Sequence, residues 1–226
     1  WLDDVFSDGK LQNYNFSVSG RNEKTNWFIS GGYFNQEGLV LGSGYERYTA
    51  KVNITTKLSD KVKFGINLSP SISNKEAIVE GWTDSPMQQA ILSEPFFTPF
   101  NDEGTLNISQ QIRWHNNGGT DGALAENPVA IALRKKDETS KFRLFGNAFL
   151  DFELYEGLTF KTQLGGDFDY SLREQFRPST IGSYRNDVSS KLPWAKEKTK
   201  ARTNMMTEST LNYTKDIGLH HFNLLA

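Results

Sequence analysis

Tyr48-Thr49-Ala50-Lys51-Val52-Asn53-Ile54-Thr55-Thr56-Lys57-Leu58 alternates between two characters, one residue at a time. One parity holds Tyr48, Ala50, Val52, Ile54, Thr56 and Leu58; the other holds Arg47, Thr49, Lys51, Asn53, Thr55 and Lys57. After a short Ser59-Asp60-Lys61 turn the beat resumes. Val62, Phe64, Ile66, Leu68, Pro70 and Ile72 then stand against Lys63, Gly65, Asn67, Ser69, Ser71 and Ser73. A period of two sends the two sets to opposite faces of a sheet. Strands of roughly 9–11 residues or more, greasy on one face and wet on the other, suit a barrel that crosses a membrane.

The same reading extends along the 226-residue chain and gives eight strand candidates. They cover 12–20, 25–36, 47–58, 62–73, 140–154, 158–172, 200–214 and a last one from about 220. The fifth sets Phe142, Leu144, Ala148, Leu150, Phe152 and Leu154 against Lys141, Arg143, Asn147, Asp151 and Glu153. In the second, Trp27-Phe28-Ile29 blurs the alternation. Short connections at 20–24, 59–61, 155–157 and 215–218 take turns with long ones at about 37–46, 74–139 and 173–199. Outer-membrane barrels connect their strands in this way, with short periplasmic turns and long extracellular loops. On that assignment the first strand runs inward, and a barrel that starts in the periplasm needs at least one strand before it. Trp1-Leu2-Asp3-Asp4 does not read as a signal peptide, and His221–Ala226 stops within a strand pattern, so a piece of a longer chain is expected.

Composition agrees with this class. The formal charge of −2 lacks the excess of basic residues expected of a dedicated nucleic-acid binder, and the absence of cysteine removes disulfides and thiolate metal sites. Mean hydropathy is −0.56, and no stretch reaches the roughly 20 apolar residues of a membrane helix. A barrel wall tolerates such a value because half of each strand faces water. Aromatics make up 13% of the chain, enough for aromatic girdles or for a carbohydrate-binding surface.

The 74–139 connection is long enough to carry structure or function of its own. Ser85-Pro86 and Asn127-Pro128 each read as an N-cap followed by proline at the first helical position, predicting short helices over 86–92 and from 128. Gly42-Ser43-Gly44 lies between strands and reads as a turn, since a phosphate cradle needs a following helix.

Chemistry-bearing patterns are sparse. His220 and His221 point to opposite faces of a strand and His115 stands alone in a loop, which disfavours a metal site. Asp151 with Glu153 and Asp167 with Asp169 are same-face carboxylate pairs, the ingredients of a glycosidase. Lys161 and Arg143 share those faces, so a solvated ion-pair wall is the favoured reading and no catalytic residue or cofactor is assigned. Arg134-Lys135-Lys136 reads as a solvated end of the long loop, or as a contact for anionic lipopolysaccharide. The features retained as candidates for ligand or partner contact are loop aromatics: Trp82, Phe96, Phe97, Trp114, Tyr184 and Trp194, with Phe100 beside them. Flat exposed rings stack on sugars and peptides, and equally they pack long loops together.

Asn13–Gly20, Glu23–Phe28 and Gly32–Gly38, followed by Tyr45-Glu46-Arg47-Tyr48 and later Asn127-Pro128-Val129, resemble the SusC/RagA family. Members are TonB-linked transporters of the Bacteroidota outer membrane. The resemblance implies an all-β fold: an antiparallel segment of about eight strands from a transmembrane barrel of about 22, with long extracellular loops. The barrel's plug domain and its other strands would lie outside residues 1–226. It also implies uptake of glycans or peptides together with a SusD-like lipoprotein, powered through TonB–ExbB–ExbD. No signal peptide, TonB box or plug is recognised here, so no TonB-contacting residue is carried over. The alternative left open by the residues themselves is a soluble carbohydrate-binding or adhesin β-sandwich.

Overall fold

The computed structural model describes residues 1–78, 85–93, 95, 97–107, 126–181 and 192–226. Eight strands form one antiparallel sheet in strict chain order: β1 Leu11–Arg21, β2 Thr25–Glu37, β3 Gly44–Ser59, β4 Val62–Glu76, β5 Lys136–Tyr155, β6 Leu158–Arg177, β7 Trp194–Ile217 and β8 His220–Leu225. The sheet does not close: β1 pairs only with β2, and β8 only with β7. No second sheet covers either face among the described residues. The expectation of an antiparallel segment of about eight strands therefore holds, and the sandwich alternative does not.

Register places the alternating residues as the sequence reading requires. Trp27 stands opposite Ile54, Ile54 opposite Ile66 and Ile66 opposite Ala148, so one parity forms one continuous apolar face. Aromatic residues collect toward both ends of that face. Tyr14 stacks on Tyr33 with ring centroids 6.3 Å apart, Tyr48 tilts against Tyr33 at 5.0 Å, and Phe142 and Tyr170 pair at the same end. Trp27, Phe64 and the stacked rings of Phe152 and Phe160, 6.4 Å apart, lie toward the other. Between these aromatic ends no Asp, Glu, Lys or Arg occupies the apolar parity of β1–β7. From Phe142 to Phe152 the strand advances ~10 residues, or ~33 Å at ~3.3 Å each, and a tilt of ~40° reduces this to a height of about 25 Å. That height matches the apolar band that outer-membrane barrels present to lipid.

Past the band, the same face turns charged. Glu76, Glu138, Glu174 and Glu197 share one register row across β4–β7. Lys136 bridges two of them, at 2.8 Å from Glu138 and 3.3 Å from Glu174. Like charges directly opposite one another in a sheet cost stability, and the ammonium offsets part of that cost.

The short connections are tight turns at one end of the sheet. Asn22 accepts from the backbone N–H of Lys24 at 2.9 Å and of Thr25 at 2.6 Å, closing β1 onto β2. Gly157, at φ 81°, takes the left-handed conformation needed to turn β5 into β6. The described parts of the long connections gather at the opposite end, where they form the buried core. Helices α1 Leu2–Val5, α2 Pro86–Leu92 and α3 Pro128–Arg134 pack there. Val5, Val40, Ala90 and Val129 form one buried cluster; Ala130, Ile131 and Ile181 form another. The strands thus contribute almost nothing to a conventional core, which sits in a cap at the rim.

The strands are longer than alternation alone suggested, and mostly at the cap end. β5 begins at Lys136 rather than 140, β6 runs to Arg177 rather than 172, and β7 begins at Trp194 rather than 200. Hydrogen bonding continues there while both faces are polar, so the ladder outlasts the pattern that reveals it.

Candidate functional site

Two surfaces can meet a ligand: the polar face of the sheet and the loop cap. The polar face is a lattice of paired side chains set by cross-strand register. Arg143 on β5 donates Nε and Nη2 to the two carboxylate oxygens of Asp167 on β6, at 2.8 and 2.9 Å. Lys141 lies 2.7 Å from Asp169. Nearer the cap, Arg173 holds Asp137 through two bonds of 2.7 and 2.6 Å, and Gln175 donates to the same carboxylate at 2.9 Å. Asn67 donates to Asn147 across β4–β5 at 3.0 Å, and Gln163 to Glu208 across β6–β7 at 2.6 Å. Asp167 and Asp169, one of the two carboxylate pairs singled out above, are each engaged by a cation, which is how an ion-paired wall behaves.

Aromatic rings interrupt this face and carry cations above them. Arg47 lies 5.7 Å from the Phe34 ring, Arg143 5.9 Å from Phe145 and Lys161 4.7 Å from Phe149. Such contacts contribute roughly 0.5–1 kcal/mol each at exposed sites. Phe28, which blurred the alternation in the sequence, belongs to this face; its register partners Ser19 and Asn53 are polar.

The cap is organised by Asn127. Its Oδ1 accepts from the N–H groups of Val129 at 3.0 Å and Ala130 at 3.2 Å, capping α3. Its Nδ2 donates to the carbonyls of Pro99 at 2.8 Å and Asn107 at 2.6 Å. One buried side chain therefore satisfies orphan donors of the helix and ties down residues 99–107. Gln89 of α2 accepts from the Glu126 N–H at 2.7 Å, joining the two helices. At the cap base, Leu41, Glu76, Ile131 and Asp137 line a cavity of about 330 Å³.

The aromatics retained from the sequence are not gathered into one site by the described residues. Trp82, Phe96, Trp114 and Tyr184 lie outside them. Phe97 is half-buried within the cap, and Phe100 is exposed and bridges Leu106. Trp194 departs from the loop assignment. It opens β7 opposite Arg177 and is 39% exposed. Its reassignment follows from the extended β6–β7 ladder.

No protein-family model matches the chain. Over its whole length it is 28% identical to TonB-dependent receptor P3 of Formosa agariphila, covering 22% of that protein. It is 21% identical to TonB-dependent receptor SusC of Bacteroides thetaiotaomicron, again over its whole length and 23% of that protein. The solved structure of the RagAB peptide importer in its open-open state matches with a TM-score of 0.75 at 23% identity, over 100% of this chain and 24% of the other. A further structure of the RagAB peptide transporter gives 0.72 at 23% identity, over 96% of this chain and 23% of that one. The chain spans 22–23% of the length of these two relatives. The eight-stranded sheet shares its fold with about a quarter of the chain in these solved structures.

Proposed function

We propose that this chain, homologous along its whole length to SusC-type TonB-dependent receptors, forms part of the barrel wall of an outer-membrane importer. The cargo is a glycan or a peptide, delivered together with a SusD-like surface lipoprotein and moved at the expense of TonB-transmitted energy. In this reading residues 1–226 lie wholly within the barrel domain.

The observation that carries the reading is the uncharged face without a covering layer. Phe16 is 72% exposed, Leu164 62% and Met205 72%. A contiguous apolar surface of this extent is untenable in water and natural in lipid. The unpaired edges of β1 and β8 follow the same logic: hydrocarbon tolerates no open sheet edge, so further strands complete the ring. The short turns then face the periplasm. The cap faces outward, where its aromatic-bearing loops meet lipoprotein and cargo. The polar face lines the lumen, and its side chains bind by hydrogen bonding, stacking and charge without covalent chemistry.

Fractionation of cells producing the full-length protein tests this. The expected result is recovery with the outer membrane, release only by detergent, and loss of cargo uptake on deletion of the gene. Recovery in the soluble fraction without detergent would overturn it.

A further inference from the structure

Carboxylates of the polar face gather on β5 and β6, while cations dominate β1–β4 on one side and β7, with Lys196, Lys198, Lys200 and Arg202, on the other. On β5 and β6 the carboxylates Asp137, Asp167 and Asp169 are neutralised by Arg173, Arg143 and Lys141. On β1–β4 the polar parity holds Arg21, Arg47, Lys51, Lys57, Lys63 and Lys75, and no carboxylate. None of these six comes within 4.0 Å of a carboxylate among the described residues, although Lys75 acts on Asp137 at longer range and Lys63 stands opposite Asp151. Lys57 and Lys63 stand directly opposite each other in the β3–β4 register. That placement is unfavourable unless a negative group lies between or above them. The nearest wall carboxylate in register is Asp151, opposite Lys63 on β5, and Lys161 flanks it on the other side.

Midway along this strip the wall carries a shallow depression. The β3–β4 register is unchanged between the Thr49–Ser71 and Val52–Leu68 pairs, but the pairs between them are missing from the ladder, where Pro70 brings no backbone N–H. A pocket of about 290 Å³ lies at this point, lined by Thr49, Ser69, Ser71, Arg143 and Phe145 among others. It offers hydroxyl groups, a guanidinium and a ring beside the unpaired Lys51 and Arg47.

Resting on the importer reading above, we infer that the β1–β4 sector is a cationic track that selects negatively charged cargo, with the depression beside Ser69 and Ser71 as a subsite on it. Arg47, Lys51 and Lys57 step down one strand at intervals of ~13 and ~20 Å, at ~3.3 Å per residue. Cations spread from rim to rim attract a chain bearing carboxylates or sulfates along its length, and low-dielectric walls focus their field. The ligand chemistry is an oxyanion on an oligomer. An acidic oligosaccharide and an acidic peptide both supply it.

The test uses the purified full-length protein in detergent. The probes are fluorescent oligogalacturonate, a sulfated oligosaccharide and oligoglutamate, each beside an uncharged counterpart of equal length. At least one anionic probe should bind about tenfold or more tighter than its neutral counterpart at low salt, with the preference shrinking at high salt. Which anionic probe wins distinguishes glycan from peptide. The combined variant Arg47→Gln, Lys51→Gln, Lys57→Gln, Lys63→Gln should lose that preference while still assembling in the outer membrane. Equal or absent binding of charged and neutral probes overturns the inference. So does a variant that melts earlier with its preference intact, which would assign the cations to an acidic surface of the protein's own polypeptide. Failure of the importer reading itself looks different: the protein would be absent from the outer membrane and would import no cargo of any charge.

Discussion

Gly65 shows how a single missing Cβ organises the polar face. It is buried in β4, and the Phe149 ring from β5 covers it at the site a Cβ would occupy. The Lys161 ammonium then rests on the same ring, 4.7 Å from its centroid. The ring fills the gap left by glycine and shields a weak point in the strand, as aromatic cover over sheet glycines does elsewhere. Gly65→Val should expel the ring and break the cation–ring contact, at a cost of about 1–3 kcal/mol. Phe149→Ala should also destabilise, and the double variant should cost less than the sum, because the two residues share one contact. Thermal midpoints of the full-length protein in detergent, read from the heat-dependent gel shift of folded barrels, measure all three. Additive losses would mean that the two positions act independently.

At the scale of elements, the cap and the strands are held by different forces, and the cap depends on side-chain capping. Asn127→Ala should remove the α3 cap, worth about 1–2 kcal/mol, and free residues 99–107 as well. Asn127→Asp keeps an acceptor for the helix but turns a carboxylate toward the Pro99 and Asn107 carbonyls, so it should loosen the cap too. Ser85→Ala should do little, because Ser85 makes no side-chain cap bond at α2. Limited proteolysis of the cap on intact cells separates these outcomes: faster cleavage is expected for both Asn127 variants and an unchanged rate for the Ser85 variant. Asn127-Pro128 and Ser85-Pro86 disclosed both helices in the sequence because cap chemistry is local. α1 carried no such signal, being a single turn held by its contacts to the β2–β3 loop, such as the Leu41 N–H donating to Val5 at 2.8 Å. The outer ends of β5, β6 and β7 were hidden for another reason. Alternation reports a difference between two environments, and above the apolar band both faces are wet. Similarly, Arg47, Lys51, Lys57 and Lys63 were legible as polar-face residues. That Lys57 faces Lys63, and that the one carboxylate opposite Lys63 is Asp151, shared with Lys161, depends on register, which a single sequence does not supply.

For the whole molecule, the deciding property is that charge and apolarity are sorted between two faces of one layer. Leu164 and Gln163 are neighbours in β6 and face opposite ways: Leu164 opposes Ala148 and Thr207, while Gln163 donates to Glu208. Leu164 lies between Phe160 and Tyr170, well inside the apolar band. A lysine there would stand in hydrocarbon and cost about 2–4 kcal/mol near the midplane. A lysine at position 163 would meet the Glu208 carboxylate and water. Leu164→Lys in the full-length protein should therefore depress outer-membrane assembly, with more unfolded, protease-sensitive material, and Gln163→Lys should assemble like the parent. In a soluble protein with two solvated faces both substitutions would be benign. If a second protein layer buried Leu164, Leu164→Lys would still destabilise, but the damage would persist after transfer to detergent-free buffer. Residues 1–226 hold no cysteine, so single cysteines at the same two positions, in a full-length protein freed of any others, add an independent reading. Cysteine at 164 should react with a membrane-partitioning maleimide and resist a charged one. Cysteine at 163 should show the reverse preference, because on the importer reading lipid covers one side of the sheet and the lumen wets the other.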